Sequence, residues 1–206
     1  MLLPLSFDLT DRRVMLIGGG KAALEKFAQL RKTACNLTIV APELDAAFAE
    51  ALASPQSAHI TFLRRKFVPA DVEGAFMVFS TVDDVQVAAE IFRLCREQKI
   101  LINSADDKTR CDFFTTAPIH RGDIQVSVST QGRFAGLSAV LRRHLESMFP
   151  AELDAEWEKI FALRERALAL HSVIEKKSVI TDIVKAIEEK YFGVRKTETP
   201  DEQHKE

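Results

Sequence analysis

Three consecutive glycines, Gly18, Gly19 and Gly20, stand between an apolar run (Val14 to Ile17) and a helical pattern in which Ala23, Phe27 and Leu30 recur. Tandem glycines cost conformational entropy where regular structure is due to begin, so the chain must gain something there. The spacing Gly18-x-Gly20-x-x-Ala23 says what. Gly18 permits a tight strand-to-helix turn. Gly20 lets the backbone approach a diphosphate with no Cβ in the way, and Ala23 lets the helix pack closely on the strand. The helix that opens at Lys21 and Ala22 presents free N–H groups and the positive end of its dipole to the phosphates. The chemistry is the grip of a dinucleotide.

The ribose is the next group to place. An acidic side chain about 20 residues beyond the glycines, at the end of the second strand, usually accepts its hydroxyls. Here that region reads Ala41, Pro42, Glu43. Glu43 is in reach of the ribose, and it is equally suited to cap the helix that follows. No arginine directly follows the strand to hold a 2′-phosphate, which favours NAD over NADP.

The elements that must hold these residues alternate. Apolar strands are expected at Val14–Gly18, Asn36–Pro42, Ala75–Thr81 and Ile100–Asn103, and a more exposed one at His59–Phe67. Helices are expected at Ala22–Lys32, Glu43–Ala53 and Val85–Gln98. Near-continuous apolar strands between helices require a parallel sheet covered on both faces, so the fold class is α/β, a Rossmann-type doubly wound sheet. Beyond about Asp106 the pattern changes. "DIQVSVST" alternates as an antiparallel strand with one solvated face does, and helical spacing follows over Ala135–Phe149, Ala151–His171 and Ser178–Tyr191.

Composition removes whole classes of function. A content of 47% hydrophobic and 28% charged residues is that of a folded globular chain and not of a disordered one. A formal net charge of −2 argues against general attraction to nucleic acid. The apolar start of "MLLPLSFDLTDRR" lacks a basic lead and is too short for a signal peptide or a membrane span. Cys35, Cys95 and Cys111 form no CxxC pair, and they read as inert thiols in a reducing cytoplasm. His120 and His144 belong to no metal-ligand pattern, so no resident metal is expected.

The stretch "FDLTDRRVMLIGGGKAALEKFAQL…LTIVAPEL", followed in order by "FSTVDD", "LINSADD", "RGDIQVSVSTQG" and "LSAVLRRHLESMFP", resembles the precorrin-2 dehydrogenases and the N-terminal module of siroheme synthases. The likeness runs from about Leu3 to Pro150. It implies NAD-dependent oxidation of precorrin-2 to sirohydrochlorin, with ferrous iron insertion as a further activity of some members. It implies a homodimer built through the segment behind the Rossmann domain. In the cofactor site, Thr81 and Val82 of "FSTVDD" join Gly18, Gly19, Gly20, Lys21, Ala22, Pro42 and Glu43. Asp106 of "NSAD" matches the acidic catalytic position and would take the proton lost as hydride leaves; otherwise it is a turn or cap residue, a duty for which Asp107 is better suited. The substrate, a macrocycle ringed by carboxylates, calls for basic groups on the rim of its cleft, and Arg121 and Arg133 are candidates. Thr130 matches a serine that lines the substrate cleft, and it is equally at home as a turn residue.

The sequence departs from the family pattern in three places. Val87 stands where an asparagine is usual, "RFAG" replaces a serine–proline, and the proline after the aromatic pair has moved to Pro118. The expected organisation is thus a NAD-binding Rossmann domain over residues 1–112, a small α+β dimerisation segment over 113–150, a helical segment over 151–194 and a disordered tail over 195–206. Competing readings are an NAD(H) sensor without catalysis, which needs neither Asp106 nor a basic cleft, and a chelatase with a vestigial cofactor site.

Overall fold

A computed structural model of the chain describes residues 2–57, 60–149 and 154–192. The first strand, β1 (Arg13–Ile17), is buried from Val14 onward. It lies at the centre of a five-stranded sheet with β2 (Asn36–Val40), β3 (Thr61–Leu63), β4 (Met77–Ser80) and β5 (Leu101–Ser104), in the order β3-β2-β1-β4-β5. Every pairing is parallel, with Val14 opposite Leu37 on one side and Met77 on the other.

The alternation of side chains along β1 divides the core in two. Val14 and Leu16 face the helices α1 (Lys21–Leu30) and α2 (Ala46–Leu52) and meet Phe27 and Phe48, whose ring centroids are 5.0 Å apart. Met15 and Ile17 face α3 (Val85–Gln98) and meet Ile91 and Cys95. Both faces being covered explains why the strands read as unbroken apolar runs. The chain leaves β1 toward β2 and later returns on its other side to β4. The sheet therefore has its topological switch point between β1 and β4, where a doubly wound sheet opens a crevice at the strand ends.

Several boundaries differ from the sequence expectation. The third strand ends at Leu63 and not at Phe67, because the chain leaves the sheet for an ion pair between Arg65 and Asp71; the expected start at His59 lies outside the described residues. The second helix begins at Ala46, with Asp45 and not Glu43 in the N-cap position.

By its contacts the chain forms two compact units, residues 1–116 with 129–135, and residues 117–128 with 136 onward. In the second, β6 (Ala117–Arg121) and β7 (Ile124–Val128) pair as an antiparallel hairpin. They are followed by α4 (Ala135–Met148), α5 (Asp154–Leu168) and α6 (Val173–Ile187), whose end widens into a π-helical turn over Glu188–Phe192. Trp157 of α5 is buried against Tyr191 at 4.8 Å between centroids. The last helix starts five residues before the expected Ser178, capped by the Ser172 hydroxyl, which accepts from the Glu175 amide at 3.4 Å. Val173 and Ile174 in its first turn are about four-fifths exposed, so no buried periodicity marks the start. The expected tail over 195–206 lies outside the described residues.

Candidate dinucleotide site

The carboxyl ends of β1 to β4 open on a cleft of about 490 Å³. Its walls are the loop Gly18–Gly20, the loop Pro42–Asp45 after β2, Lys66 and Phe67 after β3, and the segment Thr81–Asp84 after β4. All belong to the first unit.

Each glycine is bare for a different reason. Gly18 has φ +127°, a conformation closed to most side chains, and a Cβ there would lie 2.2 Å from Thr81 Oγ1. The same threonine ties β4 to β1, since its amide and hydroxyl both donate to the Ile17 carbonyl, at 2.8 and 3.0 Å. Gly19, to which the spacing rule gives no duty, is the most confined: a Cβ would sit 1.9 Å from the Glu43 carbonyl oxygen. Opposite that contact the Asp45 amide donates to the Gly19 carbonyl at 2.9 Å. Gly20 is the reverse case, with open space around its absent Cβ. It holds the N-cap position of α1 and brings no side chain to accept from the helix. The first amides of α1, those of Lys21, Ala22 and Ala23, thus lack both an intrahelical carbonyl and a capping oxygen. Donors in need of acceptors beside open space fit the diphosphate of a dinucleotide.

Of the expected cofactor residues, Gly18, Gly19, Gly20, Pro42, Glu43, Thr81 and Val82 line the cleft. Lys21 and Ala22 form the first turn of α1 just behind it, exposed and available through their amides. Ala23 is fully buried against the sheet, as its place in the glycine pattern requires. Lys66 and Phe67 were missed, because the sequence reads them as strand. They reach the cleft through a clamp. Arg65 donates to both oxygens of Asp71 at 2.5 and 2.8 Å, and Asp71 also accepts from the Val68 amide at 2.9 Å. Burial raises the Asp71 pKa, but these donors and the nearby Arg13 outweigh it and hold the carboxyl below its ordinary range.

At the end of β5 the two adjacent aspartates divide their duties. Asp107 caps the short turn Lys108–Arg110, accepting from the Thr109 hydroxyl and amide at 2.7 and 2.8 Å, and those two bonds lower its pKa. Asp106 is free of capping and accepts from the Ser104 hydroxyl. Both carboxylates face Arg110, whose Nε is 3.4 Å from Asp107 and whose Nη1 is 3.9 Å from Asp106. The loop is folded around Cys111, whose sulfur accepts from the Ser104 amide and donates to the Ser104 carbonyl, each at 3.2 Å. Burial pushes its thiol up from the ordinary value, as it does for Cys35 and for Cys95, the last to about 12. These are poor nucleophiles at neutral pH. Lys26 of α1 also went unread. Its amine donates to Thr115 at 2.7 Å, and burial lowers its pKa.

The substrate candidates fall in different surroundings. Thr130 closes the turn after β7, its hydroxyl accepting from the Phe134 amide at 3.1 Å and donating to the Phe134 carbonyl at 2.9 Å. Arg133 lies exposed in the same turn, which packs on Phe114 at Gly132. Arg121, in the second unit, is committed there: it donates to the carbonyls of Phe149 at 2.5 Å and His120 at 2.9 Å, and it stands 3.7 Å from Glu146. Among the described residues no helix is long and apolar enough to cross a membrane.

Comparison with known proteins agrees with this geometry. Residues 5–117, more than half of the chain, match a family model described as "Putative NAD(P)-binding". Siroheme synthase 1 of Pectobacterium atrosepticum is 32% identical over 83% of this chain and 35% of its own length. Siroheme synthase 2 of Aeromonas hydrophila is 33% identical over 84% and 36%, and the siroheme synthase of Thioalkalivibrio sulfidiphilus 36% identical over 72% and 30%. The chain spans about a third of the length of these curated relatives. Among solved structures, one titled "SirC, precorrin-2 dehydrogenase" superposes with a TM-score of 0.63 at 19% identity, covering 89% of this chain and 100% of that one, and so shares its fold. The chain belongs to the NAD(P)-binding family of the siroheme synthase N-terminal module.

Proposed function

We propose that this chain oxidises precorrin-2 to sirohydrochlorin with NAD as the electron acceptor. The observation that carries the reading is the position of Asp106, held at the end of β5 but free of capping, at the same end of the sheet as the glycine cleft. Only β4 separates β5 from β1, so about 10 Å, two strand spacings, divide the diphosphate grip from the carboxylate. When bound, the nicotinamide supplies the hydride acceptor. The rest falls to the chain. The amides of α1 and the bare face of Gly20 hold the diphosphate, and Glu43 accepts from the adenosine ribose. With no arginine directly after β2 to pair a 2′-phosphate, NAD is preferred to NADP. Asp106 takes the proton that leaves with the hydride, its carboxylate oriented by the Ser104 hydroxyl.

In this reading the exposed guanidinium of Arg133 meets a substrate carboxylate beside Thr130, while Arg121 is engaged by carbonyls of its own unit. Ferrous iron is a second substrate, inserted between the macrocycle's own nitrogens. The protein works in the cytoplasm as a homodimer. Leu137, Val140 and Leu141 support the dimer, since their spacing forms one apolar stripe on α4 and each is more than two-fifths exposed.

The test is purified protein with precorrin-2 and NAD, followed by absorbance. The expected outcome is the sirohydrochlorin spectrum with stoichiometric NADH. Binding of NADH without turnover would instead identify a sensor, and iron insertion into supplied sirohydrochlorin without any oxidation of precorrin-2 would identify a chelatase. Light scattering at micromolar concentration should give twice the chain mass.

A further inference from the structure

We infer that Arg110 is the positioning residue of the reaction, the group that aims the carboxylate of Asp106; the inference rests on the reading of Asp106 given above. Three observations bear on it. The guanidinium stands on the turn that carries both aspartates and is only about one-fifth exposed. Its Nε faces Asp107 at 3.4 Å, and Asp107 is itself pinned by two bonds from Thr109, so that edge of the fork is anchored to a rigid cap. Its Nη1 is buried and has no hydrogen-bond partner among the described residues, and the carboxylate oxygen it faces across 3.9 Å is Oδ2 of Asp106.

A buried guanidinium nitrogen without an acceptor is costly, and a surface ion pair gives no reason to retain one. The arrangement makes sense when Asp106 is considered whole. Its Oδ1 accepts from the Ser104 hydroxyl, while its Oδ2 faces a fixed cation. A proton acceptor must point one way before the substrate arrives, and these two contacts fix that direction. A movement of about 1 Å by Asp106 closes the remaining gap to an ordinary charge-assisted bond. The planar fork is needed for this, because one edge must hold Asp107 while the other serves Asp106; a lysine offers one point charge and cannot do both.

The experiment compares Arg110→Ala, Arg110→Lys and Asp106→Asn by steady-state kinetics with precorrin-2 and NAD, alongside NADH binding by fluorescence. Arg110→Ala should lower kcat about tenfold or more, with KM for NAD and the affinity for NADH within about twofold of the parent. Arg110→Lys should recover part of that loss but not all. Should Arg110→Ala fail to fold, Arg110→Lys carries the test, with a loss of at least about threefold in kcat expected at unchanged KM. If Asp106→Asn loses turnover while a folded Arg110 variant keeps the parental kcat, the inference is overturned and the reading of Asp106 stands. If Asp106→Asn itself keeps the parental kcat, that reading falls and the inference falls with it.

Discussion

The two compact units differ in how completely each satisfies itself. In the first, all four residues of β4 are buried, and the sheet is sealed on one face by Phe27 and Phe48 and on the other by Ile91 and Cys95. In the second, β7 is at best half-buried along its length, and no described residue of α6 is fully buried. Apolar residues on α4 and α6 stand in solvent, Val140 at 52% and Ile174 at 82% exposure. The difference separates a unit that covers its apolar residues by its own packing from one that leaves them exposed. The candidate dinucleotide cleft lies in the first. In the proposed homodimer, a second copy would cover apolar residues of the second.

The contrast can be broken or sharpened by measurement, from the largest effect to the smallest. Asp106→Ala should cut kcat by about 10²- to 10⁴-fold while NAD binding by calorimetry stays nearly intact, since the carboxylate lies outside the cofactor grip. A parental kcat would move the chemistry away from the first unit. Gly20→Asp should abolish measurable NAD binding by introducing charge at the diphosphate, yet leave the melting temperature close to the parent's, because the space around Gly20 is open. Phe27→Ala should destabilise by about 3–5 kcal/mol in urea unfolding followed by circular dichroism, against less than about 1 kcal/mol for Val184→Ala on the half-exposed α6. Equal costs would erase the distinction between the units.

Acid should act on the first unit through Asp71. Its folded pKa is held below the unfolded value, so its contribution to stability is fully present above about pH 4 and is lost as pH falls through the depressed folded value. Asp71→Asn should flatten that part of the stability profile. The smallest effect is expected at Lys99, which closes α3 in the left-handed region at φ 57°. Lys99→Gly should raise stability by about 0.5–1 kcal/mol, read as a rise of a few degrees in melting temperature.

What the sequence discloses follows the range of the interaction involved. Gly18, Gly20 and Ala23 are legible because the turn itself demands them, through the φ of +127° at Gly18, the N-cap at Gly20 and the burial of Ala23. Gly19 is not, since the atom that forbids its side chain is the Glu43 carbonyl, delivered by a loop on the neighbouring strand. The end of β3 is hidden for a similar reason: residues 64–67 continue the run from His59 without a glycine or proline to stop it, and the Arg65–Asp71 pair that holds them outside the sheet joins residues six apart. Of the neighbours Asp106 and Asp107, the second is on paper only the better suited to the cap. They separate once Thr109 is seen to claim one of them. Arg110 reads as one arginine among several until its neighbours are known, and Lys26 reads as helix surface until Thr115 is found beside it. In the second unit the helices announce themselves where they bury something and lose their boundaries where they do not, as at Val173 and Ile174.

The bond from the Asp45 amide to the Gly19 carbonyl reaches past specificity into how the site can change over generations. The side chain of Glu43 projects from a main chain already fastened to the glycine loop, so in the proposed reading a single codon change there retunes which nucleotide is preferred without disturbing the frame. Insertions or deletions between Pro42 and Asp45 would tear the fastening and take the phosphate grip with it. Drift in cofactor choice is therefore open to point substitution and closed to changes in loop length.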